Sequence, residues 1–120
     1  MASLLFVLAH STDAPNRAAT ALETAAAAAD TGHTVALWLT DEGVRLGIQG
    51  VDEALARPAG AQPSESLEVL RLRGAVLYCS RPCFERRQFE TTALRPDAEL
   101  AEPEDLARLV AEERFVPVAT

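Results

Sequence analysis

The stretch Ser3–Leu8, SLLFVL, is an unbroken apolar run that stops at the polar residues His10-Ser11-Thr12-Asp13. It shows no apolar–polar alternation, so it reads as a strand buried on both faces, as in a parallel sheet. The neighbouring sequence agrees. Thr12 or Asp13 can cap a helix that carries Pro15 in its first turn and runs to Asp30. Ala18, Ala21, Leu22, Ala25, Ala28 and Ala29 fall at helical spacing, and Gly32 supplies the stop. A second apolar run, Thr34–Leu39 (TVALWL), breaks at Thr40–Gly43. Val44–Ile48 then reads as a short helix or turn, and Asp52–Ala56 as a helical piece within a Pro- and Gly-containing loop. Ser64 opens a helix that ends at Gly74, with Leu67 and Leu70 inward and Val69 or Leu72 at the edge of that face. Ala75–Tyr78 is a third strand that runs into Cys79. Beyond the arginine-rich Ser80–Gln88 come a short strand at Ala98–Leu100 and a helix at Pro103–Glu112, with Leu106, Leu109 and Val110 inward. Phe115–Val118 is the last strand, with Pro117 marking an edge. Strands alternating with helices predict an α/β fold: a flavodoxin-like open parallel sheet of about five strands, helices on both faces, in one domain over residues 1–120.

Charge and composition narrow the function. The 120 residues carry a formal net charge of -7, which disfavours nucleic acid and anionic lipid as partners. Every base is arginine; the absence of lysine removes a Walker A loop, a Schiff-base lysine and a lysine general base. Gly43, Gly47 and Gly50 do not form the dinucleotide fingerprint after a strand. Two cysteines and two distant histidines make a poor zinc set. Neither cofactor nor metal is therefore expected. No apolar stretch reaches the ~18 residues of a membrane span, and Met1–Leu8 reads as a strand, not a signal peptide. Two cysteines without an export signal point to free thiols in a reducing cytoplasm.

Function in such sheets gathers outside the carboxyl ends of the strands. Cys79 ends the third strand just before an expected helix start, with Ser80, Arg81, Arg86 and Arg87 close behind. Amide hydrogens and guanidinium groups there would favour a thiolate. The alternative is a small apolar residue packed at a strand end. Cys83 follows at a C-x3-C spacing, and Pro82 argues against regular helix from Cys79. It is either a second, resolving thiol or a packed spectator. With a 2-1-3 strand order, the first and third strands would be neighbours, and His10 and Cys79 would share one rim. His10 is then a candidate proton donor or base, or simply a loop histidine bonded to backbone. Ser11 and Thr12 are candidate anion contacts, with helix capping as the alternative. Trp38 reads as core, His33 as structural, and Asp41-Glu42 as a solvated turn.

The ordered set of motifs resembles the DsrE/DsrF-like family, which includes YchN-like and Tus sulfur-relay subunits. The likeness spans nearly the whole chain. It rests on Leu4–Leu8 and the alanine-rich first helix, Thr31-Gly32-His33-Thr34-Val35, Thr40-Asp41-Glu42-Gly43-Val44, Arg73-Gly74-Ala75-Val76 leading to Cys79, and Pro103-Glu104-Asp105-Leu106 with Phe115. The resemblance implies a sulfur carrier or sulfurtransferase-like protein. It implies a persulfide on Cys79, an arginine partner at Arg86, sulfur donor and acceptor proteins as partners, and a homotrimer or homohexamer. The sequence departs from the family at the second cysteine, which is four residues on instead of three, at Gln88, where a glycine is usual, and at the bulky Arg81-Pro82. Two other readings stand beside this one: a non-catalytic oligomerising or small-ligand-binding module, and a thiol oxidoreductase using Cys79 and Cys83.

Overall fold

A computed structural model describes Met1–Thr120 as five strands and five α-helices. The strands are β1 (Ser3–Leu8), β2 (Thr34–Leu39), β3 (Val76–Ser80), β4 (Ala98–Ala101) and β5 (Val116–Ala119). The helices are α1 (Pro15–Asp30), α2 (Val51–Ala54), α3 (Pro63–Leu72), α4 (Arg81–Arg86) and α5 (Pro103–Ala111). A 3₁₀ segment, Asp41–Gly47, leaves β2, and a second covers Thr91–Ala93. Every strand pair is parallel, so the expected α/β sheet is present.

The strand order is β4-β3-β2-β1-β5, which differs from a 2-1-3 arrangement. β2 lies between β1 and β3, so the ends of β1 and β3 are not neighbours. Given this order, crossover handedness fixes which face each helix covers. The steps β1→β2→β3 run one way across the sheet, and right-handed connections moving one way put their helices on one face. The step β4→β5 runs back across the sheet, so α5 lands on the opposite face. The core divides accordingly. Phe6, Leu8, Leu37, Leu39, Leu77 and Cys79 pack beneath α1 and α3, while Leu5, Ala36, Trp38 and Ala101 meet Leu109 of α5. Strand alternation sets this split, since successive side chains point to opposite faces.

Small residues let two helices share one face. Ala18, Ala21, Ala25 and Ala29 of α1 are all at least 95% buried, and α1 packs against α3. Leu67 and Leu70 of α3 are fully buried, as their spacing predicts, whereas Leu72 points to solvent. On α5 only Leu109 is fully buried; Val110 is exposed, in contrast to its expected inward position. Pro103 opens this helix, and Glu102 and Asp105 form a reciprocal capping box. α1 has no side-chain cap, because Asp13 bonds back into its own loop instead. Gly32 and Gly74 follow the ends of α1 and α3 with positive φ, as helix-ending glycines do. No helix is long and apolar enough to cross a membrane.

Candidate functional site at the β2 and β3 ends

Cys79 does not meet the expectation of an exposed thiolate. It lies in β3 with no solvent exposure, among the apolar side chains beneath α1 and α3. Its sulfur faces Gly47, where a Cβ would collide with it, and Leu94 lies beside the same spot. Burial, with a smaller contribution from Asp97, pushes the Cys79 thiol up to about 12. Such a thiol stays protonated at neutral pH and is a poor nucleophile. Leu94 is held there by a parallel set of ties. The Arg95 amide donates to the Gly47 carbonyl at 2.8 Å, and the Arg95 guanidinium meets Asp52 at 3.4 Å and Asp97 at 2.9 Å.

Cys83 is also buried, at 7% exposure and in the same apolar cluster, but polar groups reach its sulfur. Pro82 sits in the first turn of α4, where its missing N–H costs nothing, so the helix starts after Ser80 and not at Cys79. Ser80 caps it, accepting a hydrogen bond from the Cys83 amide at 3.5 Å. This brings Cys83 up against the end of β2, which neighbours β3. Thr40 Oγ1 lies 3.6 Å from the sulfur. Burial raises the Cys83 thiol, but hydrogen bonds from Ser80, Thr40 and the Asp41 amide outweigh it and hold the thiol below its ordinary range. Asp41, at φ 49, is a non-glycine residue in left-handed backbone. Gly43 turns so tightly against the Leu8 carbonyl that a Cβ there would overlap it.

Arginine and glutamate lock α4 onto this turn. Arg87 Nε donates to Glu42 at 2.7 Å and its Nη1 to the Cys83 carbonyl at 3.1 Å. Arg45 also donates to Glu42, at 3.3 Å, and lies over the Phe89 ring. The Arg87 guanidinium, with help from Arg45, holds the Glu42 carboxyl below the usual range. Arg86 is exposed and forms no ion pair. Thr40 and Asp41 are absent from the set of site residues that the sequence suggests, and Arg87, expected only as nearby positive charge, is the arginine that ties α4 to this turn. Their signal was the sheet order: once β2 neighbours β3, the residues after Leu39 face those after Ser80.

The remaining candidates lie apart from the sulfur. His10 Nδ1 donates to Asp13 at 2.8 Å, and its Nε2 accepts from Arg17 at 3.2 Å. The imidazole and the Ser11 amide hold the Asp13 carboxyl below its ordinary range. His10 is therefore held within its own loop and makes no hydrogen bond to either cysteine. Ser11 is fully buried with an unpartnered hydroxyl, and Thr12 is exposed. Arg81 turns away to Glu102 at 2.5 Å. His33 accepts from the Ala2 amide, a structural tie, and Trp38 is core. No group of three or more metal-ligating side chains comes together.

Among solved structures, the YchN protein of E. coli matches the fold with a TM-score of 0.80 at 18% identity, covering 100% of both chains. No curated protein matches the sequence. The match to the DsrE/DsrF-like family extends over residues 2–116, from before β1 into β5. With that span and this sheet, the chain belongs to the DsrE/DsrF-like family.

Proposed function

We propose that this protein is a cytoplasmic sulfur carrier that holds sulfur as a persulfide on Cys83, within one domain that assembles into a homotrimer or homohexamer. Family membership supports a link to sulfur relay. The observation that carries the choice of residue is the contrast between the two thiols. Both are buried, but Thr40 Oγ1 lies 3.6 Å from the Cys83 sulfur and polar contacts hold that thiol below its ordinary range, whereas burial among apolar side chains pushes Cys79 up to about 12.

The chemistry balances without an added oxidant. The Cys83 thiolate attacks the outer sulfur of a donor persulfide, R–S–SH. The donor S–S bond breaks, a new Cys83–S–SH bond forms, and the donor leaves as R–S⁻. An acceptor thiolate then takes the outer sulfur in the same way and releases Cys83 as thiolate. The donors that stabilise the thiolate also make Cys83 a good leaving group in the second step. Cys79 is the residue behind this turn, filling space beside Gly47. A thiol held so far up is also a poor resolving group, which counts against a Cys79–Cys83 oxidoreductase.

Loading tests the reading. Wild type, Cys83→Ser and Cys79→Ser are incubated with a cysteine desulfurase and cysteine, and intact masses are measured. Wild type and Cys79→Ser gain one sulfur, and Cys83→Ser does not. Equal loading of wild type and Cys83→Ser overturns it.

A further inference from the structure

We propose that Asp41 is a specificity-determining residue at the mouth of Cys83, whose carboxylate disfavours small anionic sulfur compounds and favours sulfur presented by a neutral or basic partner surface. This rests on Cys83 being the reactive thiol. Asp41 follows Thr40, whose hydroxyl touches the sulfur, and its side chain is exposed at the rim. Its left-handed backbone aims the amide inward. One residue therefore offers the sulfur a hydrogen-bond donor and offers the approaching reagent a negative charge.

Glu42 pairs with both Arg45 and Arg87, which leaves that cluster one positive charge in excess, and the exposed Asp41 carboxylate offsets it. The Asp41 carboxylate acts on the thiol against its ionisation. An attacking thiolate is already negative, so a dianionic donor such as thiosulfate meets two like charges at short range. A chain with a net charge of -7 adds to this at long range. A persulfide carried by a protein with a basic rim meets attraction instead.

Two aromatic disulfides separate charge from thiol reactivity: one bearing a carboxylate on each ring, the other a neutral dipyridyl disulfide. Both report the same thiolate, so the ratio of their rates cancels any change in thiolate fraction. Asp41→Asn is the variant, because asparagine tolerates left-handed backbone and keeps the amide. Glu104→Gln, exposed on α5 on the far face, makes the same change in net charge and serves as the control. The ratio of anionic to neutral rate is expected to rise about threefold to tenfold in Asp41→Asn at low salt, and less at high salt, where screening weakens both effects. It should stay within experimental error of wild type in Glu104→Gln. An unchanged ratio in Asp41→Asn, or an equal rise in both variants, overturns the proposal. So does a wild-type preference for the anionic reagent that Arg86→Gln abolishes. If neither reagent modifies Cys83 in wild type, the sulfur-carrier reading itself fails.

Discussion

Two thiols four residues apart differ because one points into the sheet's covered face and the other sits at a helix start. Cys79 alternates inward with Leu77, while Cys83 is lifted by the Ser80 cap to the strand ends. Pulse alkylation checks the difference. Cys83 should react with iodoacetamide at a rate that rises with pH to a midpoint below that of a free thiol, while Cys79 is labelled only on unfolding. Labelling of Cys79 in the native protein at the rate of Cys83 would contradict this. The raised Cys79 thiol also has a stability consequence. Its folded value of about 12 exceeds the ordinary 9.0, so the unfolded chain releases this proton first. Its contribution is intact below the ordinary value and is lost as pH rises toward the folded value, at up to about 1.4 kcal/mol per pH unit. Cys79→Ala should flatten the alkaline decline of stability measured by urea unfolding. An alkaline limb of identical slope in both proteins would refute the assignment.

At the scale of elements, the β2–3₁₀ turn is the piece that builds the site. Gly43→Ala must push the Leu8 carbonyl aside and should cost about 1–3 kcal/mol, as overpacking against backbone does. Gly47→Ala pushes on the Cys79 sulfur instead, a side chain that can be shortened. A double-mutant cycle is the check: Gly47→Ala should destabilise far less in a Cys79→Ala background than in wild type. Additive effects would mean the two do not touch. Much of this layer was legible in the sequence. SLLFVL, TVALWL and the AVLY run are strands because no polar residue interrupts them, and Gly32 and Gly74 end helices where positive φ is needed. Pro82 announced that regular helix would not begin at Cys79, and α4 begins at Arg81. What could not be read was which strand ends meet. That depends on whether successive crossovers turn the same way, and the chain carries this only indirectly, in the alanines that let α1 and α3 share a face.

For the whole molecule, the two-sided burial is unequal. α1 and α3 cover one face, while α5 alone covers the other, and Val116 and Leu72 remain exposed. The core rests on fully buried leucines from both helices and strands, Leu22, Leu37, Leu67, Leu70 and Leu77 among them. Leu67→Ala should cost about 2–5 kcal/mol in chemical denaturation, because a tight neighbour helix prevents collapse into the gap. A loss below about 1 kcal/mol would show that α1 and α3 are loosely packed. Assembly into a homotrimer or homohexamer predicts a sedimentation mass of three or six chains at micromolar concentration. A single-chain mass would remove assembly from the account.

The most direct measurement locates the transferred sulfur atom. After loading by a desulfurase, the persulfide is trapped by alkylation and the peptide containing both cysteines is fragmented in a mass spectrometer. The account predicts the added sulfur on Cys83, with Cys79 carrying none. An added sulfur on Cys79 would contradict it.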